Sequence, residues 1–196
     1  MRQLAIMLSV SAALLAVDSA QAQTIQIVAL GASQTEGKGL SLQEAWPAVL
    51  EAMLRAKGYD VRVRNAGVSG DTTPGMLNRL GSAVPQGTHL VIVESGLNDQ
   101  IARGKRVTIS ADETANNVDR IVSTLRSRNI KVVLCQKKNL GANGPAIARK
   151  YGAVLATFCV DGKNLGSDGY HMSAVGQRNV AVSLLPMVIS QLGRSR

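Results

Sequence analysis

A serine stands directly after the first strongly strand-like run of the sequence. Residues 25–30 are predominantly apolar, and Gly31, Ala32 and Ser33 follow them. A serine presented on such a turn can act as a nucleophile, whereas a glycine-rich turn can also cradle a phosphate or simply connect two elements. A phosphate-binding loop requires four residues between its first glycine and a Gly-Lys pair. Five residues separate Gly31 from Gly37-Lys38, so the spacing disfavours phosphate binding.

A nucleophilic serine needs a base, and the chain offers two histidines. His89 opens a predicted strand, which places it at the amino end of the sheet and favours a structural role. His171 follows the last predicted strand and lies three residues after Asp168. A carboxylate beside an imidazole can orient it and stabilise its charged form. The spacing therefore predicts that Ser33, His171 and Asp168 act as nucleophile, base and orienting acid.

Acyl transfer also needs fixed N–H donors for the oxyanion that develops on the carbonyl oxygen. Gly70 follows the second predicted strand and Asn98 follows the third. Ligands of open α/β sheets bind beyond the carboxyl ends of the strands. We therefore expect the amide of Ser33, the amide of Gly70 and the side chain of Asn98 to form an oxyanion hole.

The elements that must position these residues alternate between strand and helix along the chain. Such alternation predicts one three-layer α/β/α domain with a parallel five-stranded sheet. Strands are predicted at 25–30, 60–65, 89–94, 130–135 and 153–159, and helices over 41–57, 72–84, 111–127, 145–151 and 173–192.

The first long helix carries two conflicting start signals. Ser41 and Glu44 match a capping box, whereas Pro47 is better tolerated in a first turn and favours a start near Ala45. Ala45, Val49, Ala52 and Met53 are expected on its apolar face.

The amino-terminal residues are typical of a secretory signal peptide rather than of the fold. Arg2 precedes an apolar run over 4–17, and Ala20-Gln21-Ala22 supplies the small residues of a cleavage site. A retained anchor is the alternative, but the run is short for a membrane span. We expect residues 1–22 to be removed, leaving a catalytic domain over 23–196 in the periplasm or secreted.

The two cysteines, Cys135 and Cys159, leave two possibilities open. They could form a disulfide in an oxidising compartment, or lie buried as two small apolar side chains. No paired Cys or His spacing indicates a metal site, and none is expected.

The chain is strongly basic, with a net charge of +9. Such a balance is compatible with an anionic partner, and a peripheral contact with an anionic envelope surface is one expectation. Aromatic residues make up only 3% of the sequence, too few for base-stacking platforms. We expect no nucleic-acid partner.

Four separated motifs together resemble the blocks of the SGNH, or GDSL-type, hydrolase family. They are Gly31-Ala32-Ser33, the segment 65–73, the segment 96–99 and Asp168-Gly169-Tyr170-His171. The similarity is greatest to bacterial thioesterase/lysophospholipase-like and arylesterase-like members. It covers nearly the whole predicted mature chain in the family's order. The resemblance implies a flavodoxin-like sheet and esterase chemistry without a metal or an organic cofactor.

The resemblance also assigns roles. Ser33 would be the nucleophile, His171 the general base and then acid, and Asp168 the residue that orients the imidazole. Ser33, Gly70 and Asn98 would form the oxyanion hole.

Two positions depart from the family pattern. Ala32 stands where the family usually has aspartate, and Met172 where proline often follows the histidine. The usual aspartate is not a triad member, so the mechanism survives, while the hydrogen bonds that shape the turn must differ.

The main hypothesis is an exported serine esterase that cleaves acyl esters or thioesters in small-molecule or lipid substrates. Deacetylation of an envelope polysaccharide by the same fold is an alternative, and the loops 103–106 and 136–143 would separate the two. A non-catalytic binding module for an anionic glycan is a third hypothesis. If His171 must be neutral, activity should rise through the ordinary pKa of histidine, about 6.5.

Overall fold

A computed structural model describes residues 23–94, 96–99, 109–135 and 143–193. Strands and helices alternate along these residues as predicted. The elements are β1 (Ile25–Gly31), α1 (Ser33–Glu36), α2 (Trp46–Ala56), β2 (Val61–Gly67), α3 (Thr73–Asn78), α4 (Leu80–Ala83), β3 (Thr88–Glu94), α5 (Ala111–Ser127), β4 (Lys131–Cys135), α6 (Gly144–Tyr151), β5 (Val154–Ala156) and α7 (Ala174–Leu192).

The five strands form one parallel sheet in the order β2-β1-β3-β4-β5. This is the doubly wound order of flavodoxin-like folds, in which the direction of strand addition reverses between β1 and β3. The prediction of a single three-layer α/β/α domain with a parallel five-stranded sheet is confirmed. The reversal opens a crevice beyond the carboxyl ends of β1 and β3, where the predicted site lies.

Both faces of the sheet are covered, and alternate residues of β1 belong to different cores. Val28 and Leu30 pack with α5, whereas Ile27 and Ala29 pack with α2 and α7. All four side chains are at least 98% buried. Burial on both faces explains why β1 is almost continuously apolar rather than alternating.

The long helix α2 begins at Trp46 with Pro47 in its first turn. The Glu44 carboxylate accepts hydrogen bonds from the amide and hydroxyl of Ser41, but in a turn that precedes the helix. The buried face carries Trp46, Leu50 and Leu54, not the predicted Val49, Ala52 and Met53.

The predicted helix over 72–84 is divided into α3 and α4 by Arg79. Thr72 caps α3 by accepting a hydrogen bond from the amide of Gly75, and Pro74 lies in the first turn. Arg79 has non-helical backbone angles, and its side chain turns to the predicted site.

The cysteines Cys135 and Cys159 form a disulfide, which decides between the two alternatives that the sequence left open. The bond joins the end of β4 to the segment after β5, across a sequence separation of 24 residues. Closing a loop of this length stabilises the folded state by about 3 kcal/mol in the chain-entropy treatment. The disulfide therefore holds the edge strand β5 and the start of the segment that leads to His171.

The predicted signal peptide and the two loops expected to shape an acyl pocket lie outside the described residues, apart from Asn143. Within the described ranges, no helix has the length and apolar character needed to cross a membrane.

Candidate active site

The turn after β1 presents Ser33 as the first residue of α1. The buried carboxylate of Glu94 accepts hydrogen bonds from the amide of Ala32, at 3.3 Å, and from the hydroxyl of Thr35, at 2.7 Å. A Cβ on Gly31 would lie 2.1 Å from the Thr35 hydroxyl oxygen, so only glycine fits there. These bonds shape the turn without the aspartate that the family usually has at position 32.

A second link fixes the same turn from the side of β2. The Arg79 guanidinium donates to the Asp71 carboxylate, at 2.7 Å, and to the carbonyl of Gly31, at 3.0 Å. The side-chain amide of Asn98 donates to the Asp71 carbonyl, at 2.8 Å. A primary amide has two N–H donors, so Asn98 keeps a second donor. Gly70 has a φ of +80°, a conformation that favours glycine.

The segment that carries Asn98 is held by its buried neighbour Asp99. Its carboxylate accepts hydrogen bonds from the amide of Thr73, at 2.8 Å, and from the hydroxyls of Thr73 and Thr114, at 2.5 and 2.8 Å. Asp99 is fully buried, and the three hydrogen bonds offset the desolvation of its polar atoms. The segment after β3 is thereby joined to α3 and α5.

The turn before α7 brings Asp168 and His171 together. The Asp168 carboxylate lies 2.5 Å from Nδ1 of His171, and its other oxygen accepts the amides of Tyr170 and His171. The bond with the His171 side chain and those two amides hold the pKa of Asp168 well below its usual range. An ionised carboxylate only accepts hydrogen bonds. Nδ1 must therefore carry a hydrogen, which leaves Nε2 of neutral His171 free to accept a proton.

Ser33 and His171 are linked through the residue that follows the serine. The Gln34 side chain donates to the carbonyl of Tyr170, at 2.9 Å, and accepts from the amide of Met172, at 3.1 Å. Within the described residues, the Ser33 hydroxyl makes no hydrogen bond of its own. A direct hydrogen bond between the catalytic side chains is often long before substrate binds. In this structure, the hydrogen bonds of Gln34 connect the segment of Ser33 to the segment of His171.

The structure places all the predicted site residues beyond the carboxyl ends of the strands. Ser33 follows β1, Gly70 follows β2, Asn98 follows β3, and Asp168 with His171 follows β5. His89 lies at the opposite edge, where its Nδ1 accepts the amide of Gln26. No group of three or more His, Cys, Asp or Glu side chains among the described residues could hold a metal ion.

Asp161 stabilises the segment that precedes the histidine turn. Its buried carboxylate accepts hydrogen bonds from the side chains of Asn179 and Asn164 and from the amide of Lys163. These bonds, that to Asn179 foremost, lower the pKa of Asp161 to about 2. Asn164 in turn accepts the amide of Ser173 through its carbonyl, so Asp161 ties α7 to the segment before His171.

This lowered pKa predicts that the free energy of unfolding decreases as the pH falls into the acid range. Asp161 titrates near 3.8 when unfolded and near 2 when folded, so its contribution is complete above the unfolded value. That contribution is lost as pH falls through the folded value. We expect Asp161→Asn to lower the free energy of unfolding by about 1 to 2 kcal/mol at about pH 5, and by less towards about pH 2. Urea unfolding of both proteins across this range measures the difference; a constant difference would contradict the assignment.

Comparison with known proteins identifies the family. The model of the GDSL-like lipase/acylhydrolase family matches residues 29–164. The chain belongs to this family. The match includes Ser33, Gly70 and Asn98 and ends before Asp168. The resemblance drawn from the four sequence motifs is thereby confirmed.

Relatives of this GDSL-like hydrolase are named as esterases. Esterase TesA of Pseudomonas aeruginosa is 32% identical over 192 residues, which cover 89% of this chain and 92% of that protein. An arylesterase of Vibrio mimicus is 31% identical over 57% of this chain and 54% of that enzyme. The crystal structure of AlinE4, an SGNH-hydrolase family esterase, is 32% identical with a TM-score of 0.63, over 89% of this chain and 100% of that one. The protein is a carboxylic ester hydrolase.

Three residues of the site were not predicted from the sequence. Gln34, Glu94 and Arg79 join segments that lie far apart in the chain, and none belongs to a periodic pattern. The sequence feature that could have predicted them is a polar side chain among small or apolar residues, such as Glu94 at the end of the apolar strand β3.

Proposed function

We propose that the protein is an exported serine esterase that hydrolyses acyl esters or thioesters through an acyl-enzyme. The observation that supports this most directly is the Asp168–His171 pair, which Gln34 joins to the turn of Ser33. The pair leaves a basic nitrogen on a turn that is hydrogen-bonded to Gln34, the residue next to Ser33 at the start of α1.

In the first half-reaction, the Ser33 hydroxyl oxygen attacks the carbonyl carbon of the substrate. Nε2 of His171 takes the hydroxyl proton, and the ionised Asp168 stabilises the imidazolium that forms. The tetrahedral intermediate then expels the alcohol or thiol, which receives that proton from His171. The products are an acyl-Ser33 ester and a free leaving group.

In the second half-reaction, water replaces the leaving group. Nε2 of His171 removes a proton from the water as it attacks the acyl carbon, and the intermediate collapses to release a carboxylic acid. The proton returns to the Ser33 oxygen. The serine and the neutral histidine are regenerated, and no cofactor enters either step.

The oxyanion of both intermediates would be stabilised by three N–H donors. These are the main-chain amides of Ser33 and Gly70 and the second N–H of the Asn98 side chain. Asp71 accepts the first N–H of Asn98, and the Asp71 side chain pairs with Arg79. Donors whose positions are fixed before the reaction stabilise the developing negative charge without rearranging. The hydrogen bonds of Asn98 and Asp71 fix the Asn98 amide in this way.

The names of the relatives, an esterase and an arylesterase, support an arylesterase-like activity, and hydrolysis of lysophospholipids is proposed beside it. O-deacetylation of a carbohydrate is the alternative within the same chemistry. The lining of the acyl pocket separates the two, and the loops expected to form it lie outside the described residues. An export destination is supported by the Cys135–Cys159 disulfide, because such bonds persist in oxidising compartments.

A fluorophosphonate probe tests the proposed nucleophile. The probe phosphonylates a serine only when a base activates it, so we expect one label per folded molecule, on the peptide that contains Ser33. Protein unfolded in urea serves as the control and should not react. Labelling of a different serine, or no labelling of protein that hydrolyses p-nitrophenyl esters, would contradict the mechanism.

A further inference from the structure

We propose that Gln34 is a positioning residue that sets the separation between Ser33 and His171. This inference rests on the proposed function and extends it to a side chain that follows the nucleophile. Gln34 is 96% buried, and its amide bonds the residues on both sides of His171.

The two bonds to the histidine turn come from opposite ends of one planar group. The Nε2 of Gln34 donates to the Tyr170 carbonyl and its Oε1 accepts the Met172 amide, across sequence separations of 136 and 138 residues. A planar amide that bonds both neighbours of a residue fixes the main chain of that residue in position and direction. His171 is therefore held at a set distance from the backbone of Ser33.

Other contacts hold the histidine turn to its own neighbours in the chain, since the His171 carbonyl accepts the amide of Gly166, at 2.7 Å, and Met172 is buried in the core. Among the described residues, the two Gln34 bonds are the hydrogen bonds that join the turn to the segment of Ser33. Tyr170 is 79% exposed, and Asp168 and Gly169 are also exposed. The bonds that Asp168 makes are within the turn itself. They set the rotation of the imidazole ring but do not relate the turn to Ser33. Orientation comes from Asp168, and placement relative to the nucleophile comes from Gln34.

The other end of the link is also anchored. The buried side chain of Gln177 donates to the Gln34 carbonyl, at 3.0 Å, and accepts the amide of Trp46, at 2.8 Å. The main chain of Gln34 is thereby tied to α7 and to the start of α2. Because the main chain of Gln34 is fixed, its side chain can hold the histidine turn at a defined place, which a side chain on a mobile loop could not do.

The position of His171 relative to Ser33 affects the rate of the chemical step more than it affects substrate binding. A misplacement of about 1 Å between reacting groups can lower a rate by about a hundredfold. Loss of the Gln34 amide should therefore lower kcat, because His171 then reaches the Ser33 proton less often. The substrate's own contacts are unchanged, so KM should stay within about twofold.

The test compares Gln34→Met with wild type and with Thr88→Val. Methionine keeps the length of the side chain and removes both hydrogen bonds. Thr88 lies at the amino end of β3, where its hydroxyl donates to the Pro85 carbonyl. Thr88→Val thus removes a hydrogen bond of a mostly buried side chain without touching the site. We expect Gln34→Met to lower kcat on a p-nitrophenyl ester, and the rate of fluorophosphonate labelling, by about 10- to 100-fold, and Thr88→Val to change neither.

A second variant keeps the proposal testable if Gln34→Met does not fold. Gln34→Glu retains an oxygen that accepts the Met172 amide, but the second oxygen of its carboxylate faces the Tyr170 carbonyl oxygen with no hydrogen between them, so its kcat should fall at least as far as that of Gln34→Met. Folded Gln34→Met with wild-type kcat, a loss confined to KM, or an equal loss in Thr88→Val would overturn the inference. Activity that survives Ser33→Ala would instead overturn the proposed function.

Discussion

Ser33→Ala should lower kcat on p-nitrophenyl acetate by about 10⁴-fold or more while leaving the fold intact. The hydroxyl is the group that would form the acyl-enzyme, and an oxyanion hole alone supplies only part of the catalysis. The main-chain contacts of Ser33 do not depend on the side chain, because its carbonyl accepts the amides of Gly37 and Lys38. Initial-rate kinetics and a thermal unfolding curve measure the two quantities.

Ser123→Ala is the matched control for this substitution. Ser123 lies in α5, and its hydroxyl donates to the Arg120 carbonyl on the surface. It should leave kcat within about twofold of wild type, as surface substitutions away from a site usually do. A Ser33→Ala variant that keeps a tenth of wild-type activity would reject Ser33 as nucleophile.

The fold was predictable because its strongest signals are local. Strands buried on both faces are nearly continuous apolar runs, and amphipathic helices lie between them, so the alternation fixes the fold class. Helix α5 shows this well, since its predicted and observed bounds both run from residue 111 to 127. The rule that ligands bind beyond the strand ends then located the candidate site.

The helix faces and boundaries were harder because one sequence can satisfy two patterns. In α2, Val49 and Met53 recur with the same spacing as Leu50 and Leu54, one position apart, so periodicity alone does not choose between them. The large Trp46 decides the face because it is almost fully buried against the sheet. The capping-box pair forms as predicted, but Pro47 places the helix start after it.

The contacts that shape the nucleophile turn could not be predicted from local sequence. Glu94 reaches Thr35 across 59 residues, Arg79 reaches Gly31 across 48, and Gln34 reaches Tyr170 across 136. The first two pairings depend on which strands are neighbours, and the sheet order β2-β1-β3 brings them together. The third depends on how the turn before α7 lies against the segment after β1. They also explain how the turn forms with Ala32, which is buried in the core instead of offering a carboxylate.

Asp168→Asn should lower kcat by about 10³- to 10⁴-fold at neutral pH with little change in stability. The asparagine oxygen can still accept the amides of Tyr170 and His171, so the turn keeps its shape. Its NH₂ group would face Nδ1 of His171, which then has to accept a hydrogen bond. The proton moves to Nε2, and the imidazole can no longer take the Ser33 proton. Steady-state kinetics near neutral pH measure this loss.

Asp119→Asn is the control that separates this effect from loss of a surface carboxylate. Asp119 pairs with Lys150 at 2.9 Å and accepts the hydroxyl of Tyr151, between α5 and α6 and away from the site. Its variant should keep wild-type kcat. The low pKa of Asp168 keeps that carboxylate ionised in the wild-type protein at neutral pH. An Asp168→Asn variant within tenfold of wild type would show that His171 does not need Asp168 to hold its tautomer.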